Sequence, residues 1–285
     1  MATNVEMADG RTVHVYDSYD SDRPGDPPPL TVFWHHGTPQ TGRPPEPPPM
    51  ASAQRVRWIG HDRPGYGTSS PSSGRDVAAV AADVTAIADH LGVARFAVAG
   101  YSAGGPHALA CAALLADRVH AVVCIASTAP FEAAGLDWYR DMVESNAAEL
   151  RAATQGRGPL KAHLAGEHEL DPDMFAPADL AALGGPYGEW LRSTTTAALD
   201  GSEDGYLDDD DALVNPWGFA VADVAQPVLV LHGEHDRLVP TAHARWLADR
   251  CPIAELRLYP DEGHISIIDR IDAAMDWLDK VDQPS

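Results

Sequence analysis

Short apolar runs recur along the chain and alternate with helix-forming stretches. The clearest runs are residues 30–34, 56–60, 96–99, 121–126 and 227–231. Such runs lack the polar–apolar alternation of a half-exposed strand and are typical of strands covered on both faces. Amphipathic or alanine-rich stretches lie between them, over residues 76–91 and 105–115. This order predicts an α/β fold, with a mostly parallel sheet and helices on both of its faces.

Further elements complete this pattern at the two ends of the chain. Two short strands around Asp9-Gly10 predict a hairpin. A last strand is predicted at 254–259, and helices at 242–250 and 271–281. Between these parts lie a polar loop at 21–29, a proline-rich stretch at 43–49 and a short helix near 50–54. The prolines exclude a helix or a central strand and indicate either an extended connection or a polyproline ligand.

The composition and the hydrophobic pattern of the sequence change between residues 131 and 222. This stretch has no run of buried-strand type and is rich in Ala, Leu, Gly, Asp and aromatic residues. Helical fragments are predicted at 138–154 and 178–183, with Gly and Pro interrupting them. We therefore predict an α/β core formed by residues 1–130 and 223–285, with a largely helical insertion over residues 131–222.

The charge balance restricts the partners of this protein. The 285 residues include 42 acidic and 20 basic side chains, a formal net charge of −22. A field of that sign repels nucleic acids and anionic membrane surfaces, so neither is an expected partner. The sequence has no apolar run of membrane-spanning length and no start typical of a signal peptide, so we expect a cytoplasmic protein. Oligomeric state cannot be read from the sequence.

Two groups of residues invite a metal or disulfide interpretation. The acidic run Asp208–Asp211 lacks the spacing of a calcium loop, and we interpret it as a solvated loop, not a metal site. The cysteines Cys111, Cys124 and Cys251 are odd in number and have no C-x-x-C spacing. They are expected to be small apolar residues in a reducing compartment.

The segment Gly100-Tyr101-Ser102-Ala103-Gly104 fits the pattern G-x-S-x-G. It lies between an apolar strand and an alanine-rich helix, which is the context of a nucleophile elbow. The chain must turn sharply there, and glycine avoids the collisions that a Cβ atom would cause. Ser102 is therefore predicted to stand at a helix N-terminus, where the helix dipole favours developing negative charge.

A serine hydroxyl needs a base, and the base needs an orienting acid. Among thirteen histidines, His264 lies in a glycine-bearing loop after the last strand and before the last helix. Asp236 follows the strand at 227–231 and is the predicted acid, with Glu234 as the alternative. Ser102, Asp236 and His264 are thus the predicted catalytic residues.

Acyl transfer also needs two donors aimed at the carbonyl oxygen as it gains charge. The backbone N–H groups of Ala103 and Thr38 are the predicted donors, because Gly37 allows the chain to approach closely. His35 and His36 precede this loop and are either acid–base residues or residues that hold the loop in place.

The motifs together resemble the α/β-hydrolase superfamily. They are His36-Gly37-Thr38-Pro39, the stretch Asp62–Gly67, the elbow extended to Gly105, Gly233–Asp236 and Gly263-His264. The resemblance implies an eight-stranded sheet, a helical cap over the active site and no cofactor. It places the chain near the esterase, haloperoxidase-like and proline-iminopeptidase-like branches. Serine in place of aspartate at position 102 departs from the haloalkane dehalogenase and epoxide hydrolase branches.

The substrate is expected to be a small molecule with an ester or related acyl bond. The candidate contacts are aromatic and apolar residues: Tyr101, Trp138, Tyr139, Met142, Phe175, Tyr187 and Trp190. Those of the insertion either line an acyl pocket or form the insertion's own core. A proline-iminopeptidase-like aminopeptidase would use Glu144 and Glu149 to hold an ammonium group, although Ala103 replaces the tryptophan typical of that branch. A ligand receptor without catalysis is the third alternative.

Overall fold

The computed structural model describes residues 2–19, 30–45, 56–166, 171 and 173–282. The predicted loop at 21–29, the short helix near 50–54 and the prolines at 46–49 lie outside the described residues. The remaining predicted elements can be compared with the structure one by one.

Eight strands form one sheet. They are β1 (Ala2–Glu6), β2 (Thr12–Asp17), β3 (Leu30–His35), β4 (Val56–His61), β5 (Phe96–Tyr101), β6 (Val119–Ile125), β7 (Val228–Gly233) and β8 (Ala254–Tyr259). Their order across the sheet is β1-β2-β4-β3-β5-β6-β7-β8. β2 pairs antiparallel with β1 and β4, and all other neighbours are parallel. The predicted strands and the mostly parallel sheet are confirmed.

The helices of the described residues either flank this sheet or lie in the long connection between β6 and β7. They are α1 (Val80–His90), α2 (Gly104–Leu114), α3 (Glu144–Ala153), α4 (Arg157–Leu164), α5 (Pro177–Ala182), α6 (Gly188–Leu199), α7 (Asp204–Val214), α8 (Thr241–Arg250) and α9 (Ile271–Asp282). Short 3-10 helices occupy Val77–Ala79, Val221–Asp223 and Ser266–Arg270. None of the described helices is both long and apolar enough to cross a bilayer.

Both faces of the sheet are buried. Successive residues of a strand point to opposite faces, so Val98 packs with α1, α2 and α8 on one side. Its neighbours Ala97 and Ala99 face α9 and part of α6 on the other side. Side chains that are apolar on both faces explain why these strands appear in the sequence as unbroken apolar runs. The three cysteines are free and buried in this interior.

The β6–β7 segment, residues 126–227, contains α3 to α7 and, in its described part, no strand. The predicted helix at 178–183 matches α5. The predicted helix at 138–154 was wrong in its first part, because α3 begins only at Glu144. The residues before it form tight turns: Asp141 has φ +65°, and the Met142 N–H donates to the Tyr139 carbonyl at 3.1 Å. A left-handed residue interrupts the helical path, so the helix starts beyond it.

The interpretation of Asp208–Asp211 as a solvated loop is wrong. All four residues lie in α7, and Asp208, Asp209 and Asp210 are only 1%, 0% and 3% exposed. Asp208 pairs with Arg157. Asp209 pairs with two buried guanidinium groups, those of Arg63 and Arg75, at 2.6 and 2.5 Å. These partners lie far away in the sequence, so the acidic run alone gave no sign of them.

Asp209 and Asp210 are neighbours in opposite electrostatic settings. Burial alone would raise the pKa of Asp209, but the charges of Arg63 and Arg75 outweigh it and hold that pKa well below its ordinary value. Burial, reinforced by Glu149, raises the pKa of Asp210 well above its ordinary value. The environment therefore favours the anion at Asp209 and the neutral acid at Asp210.

Neutralising these two side chains should have unequal effects on stability. Asp209→Asn leaves two buried guanidinium groups without their shared anion, and should lower the free energy of unfolding by about 3–5 kcal/mol. Asp210→Asn removes a charge that burial and Glu149 already disfavour, and should cost about 1 kcal/mol. Urea unfolding of the two variants at pH 7 measures the difference. Equal losses would contradict the assigned charge states.

Candidate active site

The predicted catalytic residues all follow strand ends on one edge of the sheet. Ser102 comes directly after β5, Asp236 follows β7, and His264 follows β8. The carboxyl ends of parallel strands meet at the same edge, which is where open α/β sheets bind their ligands. The fold therefore brings together Ser102 and His264, although 162 residues separate them.

The turn at Ser102 is sharp and its backbone is strained. Ser102 has φ +53°, a left-handed conformation that is uncommon outside glycine. A Cβ atom on Gly100 would lie 2.2 Å from the Gly104 carbonyl oxygen, and one on Gly104 would lie 2.0 Å from the His35 carbonyl oxygen. Both positions therefore require glycine, as the G-x-S-x-G pattern predicts.

A continuous chain of hydrogen bonds links the three residues. His264 Nε2 lies 3.1 Å from Ser102 Oγ, and His264 Nδ1 lies 2.8 Å from Asp236 Oδ2. The other carboxylate oxygen of Asp236 accepts backbone N–H bonds from Leu238 and Val239, at 3.0 and 2.8 Å. These bonds fix the carboxylate, which in turn fixes the imidazole ring that faces the serine.

The charges of the pair favour a base at His264. Burial alone would lower the pKa of His264, but the charge and hydrogen bond of Asp236 outweigh it and raise that pKa. Burial would likewise raise the pKa of Asp236, yet His264 and a hydrogen bond from His232 hold it below its ordinary value. An imidazole flanked by this anion is prepared to accept a proton from the serine hydroxyl.

The alternative acid does not reach the histidine. Glu234 is exposed, and its carboxylate lies 3.9 Å from Arg245 on α8. Asp236 is buried and points the other way, toward His264. The geometry therefore favours Asp236 over Glu234.

The loop after β3 runs alongside the nucleophile. A Cβ atom on Gly37 would lie 3.4 Å from Ser102 Cβ and 3.2 Å from a ring carbon of Tyr101. Thr38 is the next residue of this loop. On the other side of Ser102, Ala103 immediately precedes α2, and the first N–H groups of a helix have no partner within it. Thr38 and Ala103 thus lie on the two segments that flank Ser102.

The histidines of the same loop hold its backbone. The ring of His36 is fully buried; its Nδ1 donates to the Gly37 carbonyl at 2.7 Å, and its Nε2 accepts the Arg63 N–H at 3.1 Å. Burial lowers the pKa of His35 and His36 well below the ordinary value, so both rings are neutral. These contacts favour the interpretation that they hold the loop over an acid–base role.

The candidate substrate contacts fall into two separate apolar clusters. Trp138, Tyr139 and Met142 pack with α3, α4 and α7. Trp138 is 4% exposed, and its indole N–H donates to the Ala129 carbonyl at 2.9 Å. For this group the geometry favours an internal core over an open acyl pocket.

The second cluster joins the sheet. Tyr187, Trp190 and, at its margin, Phe175 pack on the face that α9 covers, and the Trp190 ring lies 6.1 Å from that of Trp34. Tyr101 is 3% exposed, and its hydroxyl donates to the His264 carbonyl at 3.0 Å. Tyr101 therefore supports the backbone of His264 from beneath the site.

Two buried acids of the β6–β7 segment, which we did not single out as site residues, contact the loops around the site. Asp179 on α5 accepts the N–H groups of His264, Ile265 and Ser266 at 3.1, 2.8 and 2.8 Å. Asp209 on α7 accepts the Thr38 hydroxyl at 2.5 Å. A single aspartate in a helix and one member of an acidic run carry no sequence signal for such contacts.

Arg63 completes the support of the loop after β3. Its guanidinium donates to the carbonyl oxygens of His36 and Gly37, at 2.6 and 3.2 Å, and it also pairs with Asp209. The motif Asp62–Gly67 pointed to this region but not to the contact. Among the described residues no group of three or more His, Cys, Asp and Glu side chains is arranged to hold a metal ion.

The fold and these residues define a protein of the α/β-hydrolase class. The model of the α/β-hydrolase fold family matches residues 31–271, so the chain belongs to that family. The predicted resemblance and fold class are confirmed.

Individual relatives agree with this assignment. The chain is 31% identical over 224 residues to a pimeloyl-[acyl-carrier protein] methyl ester esterase of Nitrosomonas europaea, covering 74% of this chain and 79% of that one. It is 29% identical to a dihydrolipoyllysine-residue acetyltransferase component of the acetoin cleaving system of Pseudomonas putida, covering 76% of this chain but only 53% of that one. A thermophilic esterase from Thermogutta terrifontis has the same fold, with a TM-score of 0.69, 22% identity and coverage of 99% and 100%. These similarities support a hydrolase.

The pH dependence of catalysis should report the His264–Asp236 pair. A base must be neutral, so kcat/KM for an ester should fall as the pH drops through the pKa of His264, above its ordinary value of 6.5. Asp236→Asn removes the charge that raises this pKa, so the acid limb should move to lower pH. The rate should also fall by roughly 10³–10⁴.

Glu234→Gln is the matched control, because it neutralises an exposed carboxylate of the same loop. Its pH profile should match that of the unmodified protein. An acid limb that stays in place in Asp236→Asn would contradict the pairing.

Proposed function

We propose that this protein is a serine hydrolase that cleaves a carboxylic ester, or a related acyl bond, of a small molecule. The observation that carries the proposal is the hydrogen-bonded series from Ser102 through His264 to Asp236. The methyl ester esterase among the relatives supports an ester as the substrate class.

In the first half of the proposed reaction, Ser102 Oγ attacks the carbonyl carbon while His264 Nε2 takes the hydroxyl proton. Asp236 holds the imidazole in the tautomer that presents Nε2 and stabilises the cation that forms. The carbonyl oxygen becomes an oxyanion, and the backbone N–H groups of Thr38 and Ala103 are the proposed donors to it. Collapse of this oxyanion breaks the ester C–O bond, and His264 gives its proton to the departing alcohol, which leaves the acyl group on Ser102 Oγ.

In the second half, water replaces the alcohol. His264 takes a proton from the water, whose oxygen attacks the acyl carbon bound to Ser102 Oγ. Collapse of the second oxyanion breaks the bond to Ser102, and His264 returns the proton to Oγ. No cofactor takes part in this proposal.

We further propose that residues 131–222 form a helical cap on a core of residues 1–130 and 223–285. The contacts of Asp179 with the His264 loop, and of Asp209 with Thr38, support it. Both contacts join a helix of the segment to a loop beside the nucleophile, which supports the proposed cap. Substrate choice should then depend on this segment.

An aminopeptidase has less support. Its ammonium-binding carboxylates would be Glu144 and Glu149. Glu144 is exposed and lies 2.7 Å from Arg151, whereas Glu149 accepts the Tyr206 hydroxyl at 2.7 Å. Both carboxylates thus already have partners.

Replacing the nucleophile should abolish turnover. Ser102→Ala removes the attacking oxygen, so hydrolysis of a p-nitrophenyl ester should fall by roughly 10⁴-fold or more. Labelling by a fluorophosphonate probe should disappear in the same variant. Ser193→Ala, on α6, is the control and should keep both signals. Retained turnover in Ser102→Ala would contradict the mechanism, and absence of labelling in the unmodified protein would favour a receptor.

The substrate class can be tested by comparing the rates at which the protein hydrolyses esters, lactones and aminoacyl amides. With Ser102 as nucleophile and with Glu144 and Glu149 already paired, p-nitrophenyl acetate and butyrate should have higher kcat/KM values than aminoacyl p-nitroanilides. The measurement is initial rates at pH 8 on a panel of these compounds and simple lactones. A preference for the aminoacyl compounds would support the aminopeptidase instead.

A further inference from the structure

Asp179 makes more hydrogen bonds with the loop that carries His264 than with its own helix. We call this loop, residues 263–266, the base loop. Its carboxylate accepts four backbone N–H groups, and only one of them, that of Ala176, belongs to the start of α5. The other three are consecutive N–H groups of residues 264–266. A Cβ atom on Gly263 would lie 2.2 Å from Asp179 Oδ2, so the loop also fits tightly around the carboxylate.

Asp209 has a similar relation to the loop after β3. Oδ2 accepts the hydroxyls of Thr38 and Tyr66, at 2.5 and 2.9 Å. Arg63 binds the same carboxylate and donates to two carbonyl groups of the loop. Asp209 therefore fixes the loop directly through Thr38 and indirectly through Arg63.

We propose that Asp179 and Asp209, from two helices of the β6–β7 segment, are positioning residues. Asp179 holds the base loop, and Asp209 holds the loop after β3, in the geometry that the reaction requires. This inference rests on the proposed function. Neither carboxylate touches the reacting atoms; each acts through the backbone of a loop that does.

The physical basis is the sensitivity of catalysis to small displacements. A shift of about 1 Å in a catalytic group can cost on the order of 10²-fold in rate. Three N–H bonds to one buried carboxylate fix both the position and the orientation of the His264 backbone. Charge-assisted hydrogen bonds in a dry interior are the strongest that a protein can use for this purpose.

The Asp209 contact can be tested while both of its arginine partners are kept. Thr38→Val keeps the shape and the backbone N–H of residue 38 but removes the hydroxyl that donates to Asp209 and accepts from Arg63. We expect kcat for p-nitrophenyl acetate to fall at least tenfold, with KM changed less than about threefold. Phenylboronic acid, which mimics the tetrahedral adduct on Ser102, should bind more weakly in the same proportion. Thr38→Ser should restore both values.

Thr85→Val is the matched control for that variant. It makes the same change of side chain on α1, where the Thr85 hydroxyl donates to the Ala81 carbonyl at 2.8 Å. Its kcat should stay within about twofold of the unmodified value. A Thr38→Val protein with unchanged kcat, or equal losses in both variants, would overturn the role of Asp209.

The Asp179 contact is tested by Asp179→Asn. The amide nitrogen has to face N–H groups where a carboxylate oxygen stood, so the base loop should shift and kcat should fall at least tenfold at nearly constant KM. Asp83→Asn is the control: Asp83 is a buried carboxylate on α1, and its partner is Arg11. It should lower the melting temperature but leave kcat unchanged.

If Asp179→Asn does not fold, Asp179→Glu gives the same test, because it keeps the charge and displaces it by one methylene. Unchanged kcat in the folded variant would overturn the role of Asp179. The proposed function fails separately, if the unmodified protein does not hydrolyse the ester or Ser102→Ala still does. Ester hydrolysis that depends on Ser102, combined with unchanged kcat in Thr38→Val and Asp179→Asn, would overturn only the positioning inference.

Discussion

Two pieces of backbone pack directly against each other in the site. The turn after β5 touches the end of β3 where Gly104 meets the carbonyl oxygen of His35, and no side chain fits between them. This contact brings the loop that contains Gly37 beside Ser102. It also leaves the serine in a left-handed conformation that an isolated peptide would seldom adopt. The relative position of the nucleophile and the neighbouring loop is therefore decided by main-chain packing.

The protein is strongly acidic, and yet several of its acids lie inside it. Asp209 shares two buried arginines, Asp236 faces an imidazole, and Asp179 accepts backbone N–H groups from two segments. A buried carboxylate is tolerated when each of its oxygen atoms has donors. The interior acids therefore have specific structural partners, and the net charge of the chain says nothing about them.

Much of the sheet could be predicted from the sequence. Strands buried on both faces must be apolar throughout, so β3, β5 and β7 stand out from their surroundings. Ser102, Asp236 and His264 could be predicted because each follows a recognisable strand and because their order is that of this fold. Their assignment as catalytic residues stays a prediction until activity is measured.

Other features depend on contacts between distant parts of the chain. Asp209 lies 146 residues from Arg63, and nothing in the acidic run indicates that pair. Trp138 and Trp190 are both buried-type aromatic residues of the insertion, but they pack into different clusters. The packing of the helices decides which way each side chain faces. The left-handed backbone angle of Asp141 delays the start of the predicted helix, and helical propensity does not report such an angle.

The contacts of Asp179 and Asp209 with the two loops affect how the β6–β7 segment can be exchanged between related proteins. The β6–β7 segment contributes helices near the nucleophile, and it also supplies Asp179 and Asp209 to the base loop and the loop after β3. Exchange of this segment for that of a relative would therefore alter the scaffold of the core as well as its surroundings. If the positioning roles hold, a functional chimera should therefore retain an acid at both positions.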